Sequence, residues 1–209
     1  PLDQGIDNVA IGYRALTDNW YGNDCVAIGK DALRMNNFYD DNTAVGSGAM
    51  YNNDAPNNTA VGREALYNNI YSSGMTAIGN RSMYYQAYPS TGPIWGVYHT
   101  AIGYESLMGS PVLSENSGFG NTAVGYNAAR NTSAGSYNVA MGQGALSGNS
   151  TGNRNVGLGY GAAGWNVAGS GTVAIGDSAL GFTNNTTTAF TSYNTAIGYW
   201  ALRGSFTAA

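Results

Sequence analysis

Few side chains here are of the kinds that carry out chemistry, and their neighbours in sequence do not equip them for it. His99 is the only histidine and Cys25 the only cysteine among 209 residues. A metal site needs Cys and His at ligand spacing, and nucleophilic catalysis needs a base beside the nucleophile. Neither residue has such a partner nearby. Asp40 and Asp41, with Asp24 and Asp54 at neighbouring segment edges, could gather oxygen ligands for calcium, but such acids are also ordinary turn formers. Glycine-rich runs such as 157–164 would suit a phosphate loop only between a strand and a helix, and no helical periodicity occurs anywhere. No catalytic or metal-binding residue is therefore assigned, no cofactor is expected, and the expected role is non-enzymatic.

The positions of His99 and Cys25 belong to a repeat. Both open a nine-residue pattern that recurs along the chain, as NVAIGYRAL from Asn8, CVAIGKDAL from Cys25, NTAVGREAL from Asn58, HTAIGYESL from His99 and NTAIGYWAL from Asn194. The opening position is Asn in seven of eleven units, so His99 and Cys25 read as substitutions at a repeat position. The shared glycines are Gly12, Gly29, Gly46, Gly62, Gly79, Gly103, Gly125, Gly142, Gly159, Gly176 and Gly198. Their separations are 17, 17, 16, 17, 24, 22, 17, 17, 17 and 22 residues. The basic period is 17, with insertions in three places.

That period is too short for helical repeats and fits one coil of a β-solenoid. Thr or Val and Ile or Val sit two apart, with Ala and Gly on alternate positions, which is strand periodicity. Glycine turns the chain between two short strands, because it enters positive φ without steric cost. The expected fold is therefore all-β: a parallel β-solenoid or β-roll of eleven coils forming a single repeat domain over 1–209, a segment of a longer fibre. Coils stacked ~4.8 Å apart would give a rod on the order of 50 Å long. Each coil is expected to bury two large aliphatic side chains, one from the strand and one from the leucine position (Leu16, Leu33, Leu66 and their equivalents). Stacking also predicts a ladder of alternating charge through Arg14, Asp31, Gly48, Glu64, Arg81 and Glu105. Such a thin core, with both Ala and Ile faces to cover, points to an oligomer.

Bulk composition narrows the partners. A net charge of −4 and a pI near 4.6 disfavour nucleic acid and anionic membrane surfaces. No stretch approaches the ~20 apolar residues that span a bilayer, so no membrane insertion is expected, and no secretory leader opens the chain. Proline is too scarce, at 5 residues, for collagen.

The pattern N-[TV]-A-[IV]-G-x-x-[AS]-L resembles the head repeat of trimeric autotransporter adhesins, and more closely the repeats of bacteriophage tail fibres. The resemblance covers Asn8 to Leu202. It implies a left-handed coil, a homotrimer around one axis, a location in a virion tail fibre or at a cell surface, and attachment to a cell-surface glycan or protein receptor. The adhesin-head period is shorter than 17, and this segment shows no coiled-coil stalk. A phage fibre is therefore favoured over a bacterial surface or biofilm adhesin. Stacked threonines at Thr43, Thr59, Thr76 and Thr100 raise a third reading, an ice-binding solenoid.

Aromatic side chains in the connecting segments are the binding candidates: Trp20, Tyr21, Phe38, Tyr39, Tyr84, Tyr85, Tyr88, Trp95 and Tyr98. Flat rings stack on sugars and anchor protein contacts at low entropy cost. The competing explanation is that they pack between chains or staple adjacent loops.

Overall fold

Each repeat contributes one rung to a parallel sheet. The computed structural model describes residues 5–86, 95–182, 188 and 190–204. It is a parallel β-solenoid of about ten turns with almost no helix, only one 3-10 turn, Leu113–Glu115, occurring among the described residues. The central sheet has 11 strands in sequence order, running from Val9–Ile11 and Val26–Ile28 at one end to Val173–Ile175 and Thr195–Ile197 at the other. Every neighbouring pair is parallel and in motif register: Ala27 faces Ala44, and Ala101 faces Ala123. Short additional pairings, such as Asn52–Asp54 with Asn68–Ile70, tie the return segments together.

The strands are short because the motif glycine ends each of them. Gly29 has φ +133 and Gly46 φ +134, and the second and fourth residues after each glycine are also left-handed, as at Asp31 (φ 57) and Leu33 (φ 46). Close approach imposes a second demand on the same glycines. A Cβ on Gly29 would lie 2.6 Å from the Gly46 carbonyl of the next coil, and on Gly79 2.4 Å from that of Gly103. Only Gly satisfies both the dihedral and the spacing. Coil-to-coil hydrogen bonds then continue around the turn, as in Gly29 N–H to Ile11 O (2.7 Å) and Leu33 N–H to Ala49 O (2.9 Å).

The core differs from the sequence expectation in one respect. The strand's alanine, not its Ile or Val, points inward: Ala27, Ala44, Ala60 and Ala77 are fully buried, while Ile28, Val61, Ile78 and Ile102 are exposed. The cause is the narrowness of the coil. Its interior already holds the leucine-position column (Leu33, Met50, Leu66, Met83, Leu107) and a second alanine column from the turn (Ala32, Ala49, Ala65), leaving room for only a methyl from the strand. One large aliphatic side chain per coil is thus buried rather than two. The strand's Ile and Val form a ladder on the outer face, from Ile11 to Ile197.

Asparagine supplies the rest of the interior. Asn42, Asn58, Asn121, Asn138 and Asn155 are buried at the opening position of the motif. Each side chain joins two coils' worth of backbone: Asn138 Oδ1 accepts the N–H of Asn155 (2.9 Å), and its Nδ2 donates to Gly152 O (2.8 Å). A second column links amide to amide, with Asn53 donating to Asn36 Oδ1 (3.1 Å) and Asn69 to Asn53 Oδ1 (2.7 Å). Buried polar groups are tolerable only when bonded, and here the bonding partners recur with the repeat. The alternating charges also pair as the spacing implies. Arg14 meets Asp31 at 2.7 Å, and Glu105 lies between Arg81 (3.2 Å) and Arg130 (2.8 Å).

Candidate functional site

His99 and Cys25 are interior residues. His99 is buried at the asparagine position, where Nδ1 accepts the N–H of Asn121 (3.1 Å) and the ring bonds the Gly118 backbone. Burial holds its pKa down at about 3, so the ring is neutral. Cys25 is also fully buried, its Sγ directed at the carbonyls of Asn23 (3.2 Å) and Tyr39 (3.5 Å), and burial raises its thiol pKa. Low thiolate content and burial make it a poor nucleophile. Asp40 Oδ1 accepts two bonds from Asn23, at 2.7 and 3.1 Å, in the role of a loop acid. Among the described residues no group of three or more His, Cys, Asp or Glu could share a cation.

The aromatic candidates divide into separate groups. Tyr21 and Phe38 come together on successive coils, stacked with centroids 5.4 Å apart, and both are exposed, as is Trp20 nearby in sequence. Tyr39 is half-buried, and burial raises its phenol pKa. Tyr84 ends a column in which Tyr51, Tyr67 and Tyr84 stack at 5.0 Å intervals, with Tyr85 edge-on at 4.6 Å and the Arg81 guanidinium over the Tyr84 ring. Stacking on Tyr67 makes Tyr84 a staple between coils, with Tyr85 packed against it. Tyr88 lies outside the described residues. The backbone of Trp95 pairs with Ser72 beside the central sheet. Tyr98 stands apart from all of these and is 70% exposed.

Two grooves in the C-terminal half lie away from every residue singled out by aromatic density. One, of about 400 Å³, crosses the turn face between Tyr126, Tyr160 and Trp165, over the bare backbone of Gly144 and Gly161. Its cation, Arg130, is occupied by Glu105 and by Asn131 Oδ1 (3.2 Å). The other, of about 570 Å³, lies beside the N-terminal ends of the strands, between Tyr137 and Tyr193. Small residues make both grooves, so a search for aromatic-rich loops passes them by. The readable signal is a tyrosine flanked, one period away, by glycine or serine.

Charge is sparse on these surfaces, and no helix among the described residues is long and apolar enough to cross a membrane. Compared with protein-family profiles, curated proteins and solved structures, the chain gives no significant match.

Proposed function

We propose that this chain is a non-catalytic segment of a homotrimeric attachment fibre, of the kind found in phage tail fibres, acting by noncovalent binding to a host or cell surface. One observation supports the reading above others: the outward ladder of Ile28, Val45, Val61, Ile78, Ile102, Val124 and Met141 along the central sheet. Five of these seven are more than a third exposed in the single chain, alongside a row of Thr and Val. A long apolar stripe of that kind on a rigid face marks an association surface. Identical stripes on copies of one rod meet at a common axis without changing the fold of any copy. Three copies would multiply weak contacts at their outer edges into useful avidity.

Native mass measurement tests the assembly. The wild-type chain should run as a trimer, and Ile78→Asp with Ile102→Asp should release monomers that keep the β-sheet signature. A monodisperse wild-type monomer would remove the proposal's structural basis. A bacterial adhesin built on the same scaffold is the nearest alternative and shares this test. The ice-binding reading draws on the in-register row of Thr43, Thr59, Thr76, Thr100 and Thr122. Its own check is thermal hysteresis: a freezing-point gap would favour it over the fibre.

A further inference from the structure

The residue before each motif asparagine has left-handed backbone throughout, and in most coils its type suits that conformation: Asp7, Asp24, Asp41 and Asn57, then Gly74, Gly120 and Gly171. Four coils break the rule. Tyr98 (φ 54), Tyr137 (φ 58), Arg154 (φ 55) and Tyr193 (φ 46) carry bulky side chains there. Left-handed backbone strains such residues, and strain retained at a fixed position is a reason to look for a function.

The three tyrosines share an arrangement. A Cβ on Gly74 would come 2.7 Å from the ring of Tyr98, on Gly120 2.8 Å from that of Tyr137, and on Gly171 3.1 Å from that of Tyr193. Each ring is thus seated on the glycine of the preceding coil. Its outer side stays open, with exposures of 70, 53 and 82%. Arg154 occupies the coil after Tyr137, and Gly171 the coil before Tyr193, so the cation sits in the groove between two seated rings. Arg154 is exposed and takes part in no ion pair among the described residues. Ser136 and Ser170 line the same groove. Each hydroxyl accepts a backbone N–H, from Phe119 (3.2 Å) and Asn153 (2.9 Å), which leaves its own O–H to donate outward.

We propose that this rim groove binds an acidic saccharide, with the carboxylate on Arg154 and the sugar rings against Tyr137 and Tyr193. A guanidinium presents a planar fork of N–H donors that matches a carboxylate. Seated tyrosine rings offer apolar faces to the C–H side of a pyranose at little entropic cost. The coil rise of ~4.8 Å sets the two rings three coils apart, a span suited to a short oligosaccharide rather than a single sugar. In the turn-face groove the only arginine is already neutralised by Glu105, so an acidic ligand is favoured at the rim alone. The proposal rests on the attachment reading above and gives it a ligand class.

Calorimetric titration of the assembled wild-type chain with sialyl-lactose, lactose and acetate tests it. Sialyl-lactose should bind at least about tenfold more tightly than lactose, the difference one charge-assisted contact supplies. Arg154→Gln should bring the two sugars to parity, Tyr193→Ala should weaken both, and Lys30→Gln, which removes the same charge elsewhere, should change neither. Equal affinities in the wild type, or a preference that survives Arg154→Gln, would overturn the site. Acetate competing as strongly as sialyl-lactose would reduce it to a bare anion site and overturn the saccharide assignment. Whole-cell binding by the same wild-type protein separates the two levels. Cells bound without sialyl-lactose binding would sink the groove and spare the attachment reading, whereas no cell binding would sink that reading itself.

Discussion

His99 Nδ1 accepts the backbone N–H of Asn121 at 3.1 Å, the same bond that Asn121 Oδ1 accepts from Asn138 one coil later at 2.8 Å. The imidazole thus replaces an amide, with one nitrogen acting as the carbonyl oxygen and the other side of the ring bonding the Gly118 backbone. That replacement works only for the neutral ring, since protonation would turn Nδ1 into a donor facing a donor.

A pH dependence follows. The folded pKa is about 3 against 6.5 for the free side chain, so below pH 6.5 the unfolded chain takes up a proton that the folded chain refuses. Stability therefore falls as pH falls, by about 1.4 kcal/mol per pH unit through that window. At about pH 5 the loss attributable to His99 should be roughly 2 kcal/mol relative to neutral pH. Denaturant unfolding of wild type and His99→Asn at both pH values isolates it, because the variant should lose this component and keep the ladder. Equal pH slopes for the two proteins would contradict the buried neutral ring.

Asn138→Ala should destabilise by about 1–3 kcal/mol, because it strands the Asn155 N–H in a dry interior, while the Gly152 carbonyl keeps its bond from Asn149. Asn37→Ala, at a partly exposed position, should cost clearly less, within about 0.5 kcal/mol. Thermal unfolding of the two variants distinguishes a structural amide from a decorative one.

Two motif glycines separate dihedral strain from crowding. Gly79 and Gly198 have similar φ, +131 and +124, but a Cβ on Gly79 meets a carbonyl at 2.4 Å and one on Gly198 meets nothing within 4 Å. Gly198→Ala should cost about 1–3 kcal/mol from the backbone conformation alone. Gly79→Ala should cost clearly more, enough to split the stack in limited proteolysis. Equal midpoints for the two variants would show that close stacking contributes nothing.

Glu105 bridges Arg81 and Arg130 with its side chain only 9% exposed. Glu105→Gln should therefore cost more than the loss of an exposed pair, about 1–3 kcal/mol against under about 1 kcal/mol for Asp18→Asn beside Arg34. Added salt should narrow the gap between wild type and Asp18→Asn more than that between wild type and Glu105→Gln.

Spacing alone was enough to read the parallel stack and its charge ladder, because a 17-residue period leaves an equivalent residue one rung away from each side chain. Which face of the strand turns inward was not readable from alternation. Thr-Ala-Ile alternates equally well in either direction, and the choice is made by Leu33 and its equivalents filling the interior from the turn. Tyr84 looked like a candidate for binding as a member of an aromatic segment, yet Tyr67 and Tyr51 precede it at about one period each, and the three stack on each other. The rim groove eluded aromatic counting for the opposite reason. Tyr137, Arg154 and Tyr193 stand in small, polar surroundings, and they become conspicuous only once the left-handed backbone of their position is known.

The glycine column has a further consequence for the chain's history. Each motif glycine with a coil beyond it is fitted against that next coil's glycine, and the adjoining bonds are likewise made to the equivalent residue one unit away. A unit copied or deleted whole would therefore find matching partners on both sides, whereas a unit altered at its glycine would not. Length is the variable such a molecule can change most freely, in steps of ~4.8 Å. Rim residues separated by a fixed number of units, such as Tyr137 and Tyr193, would act as a ruler that each duplication between them resets.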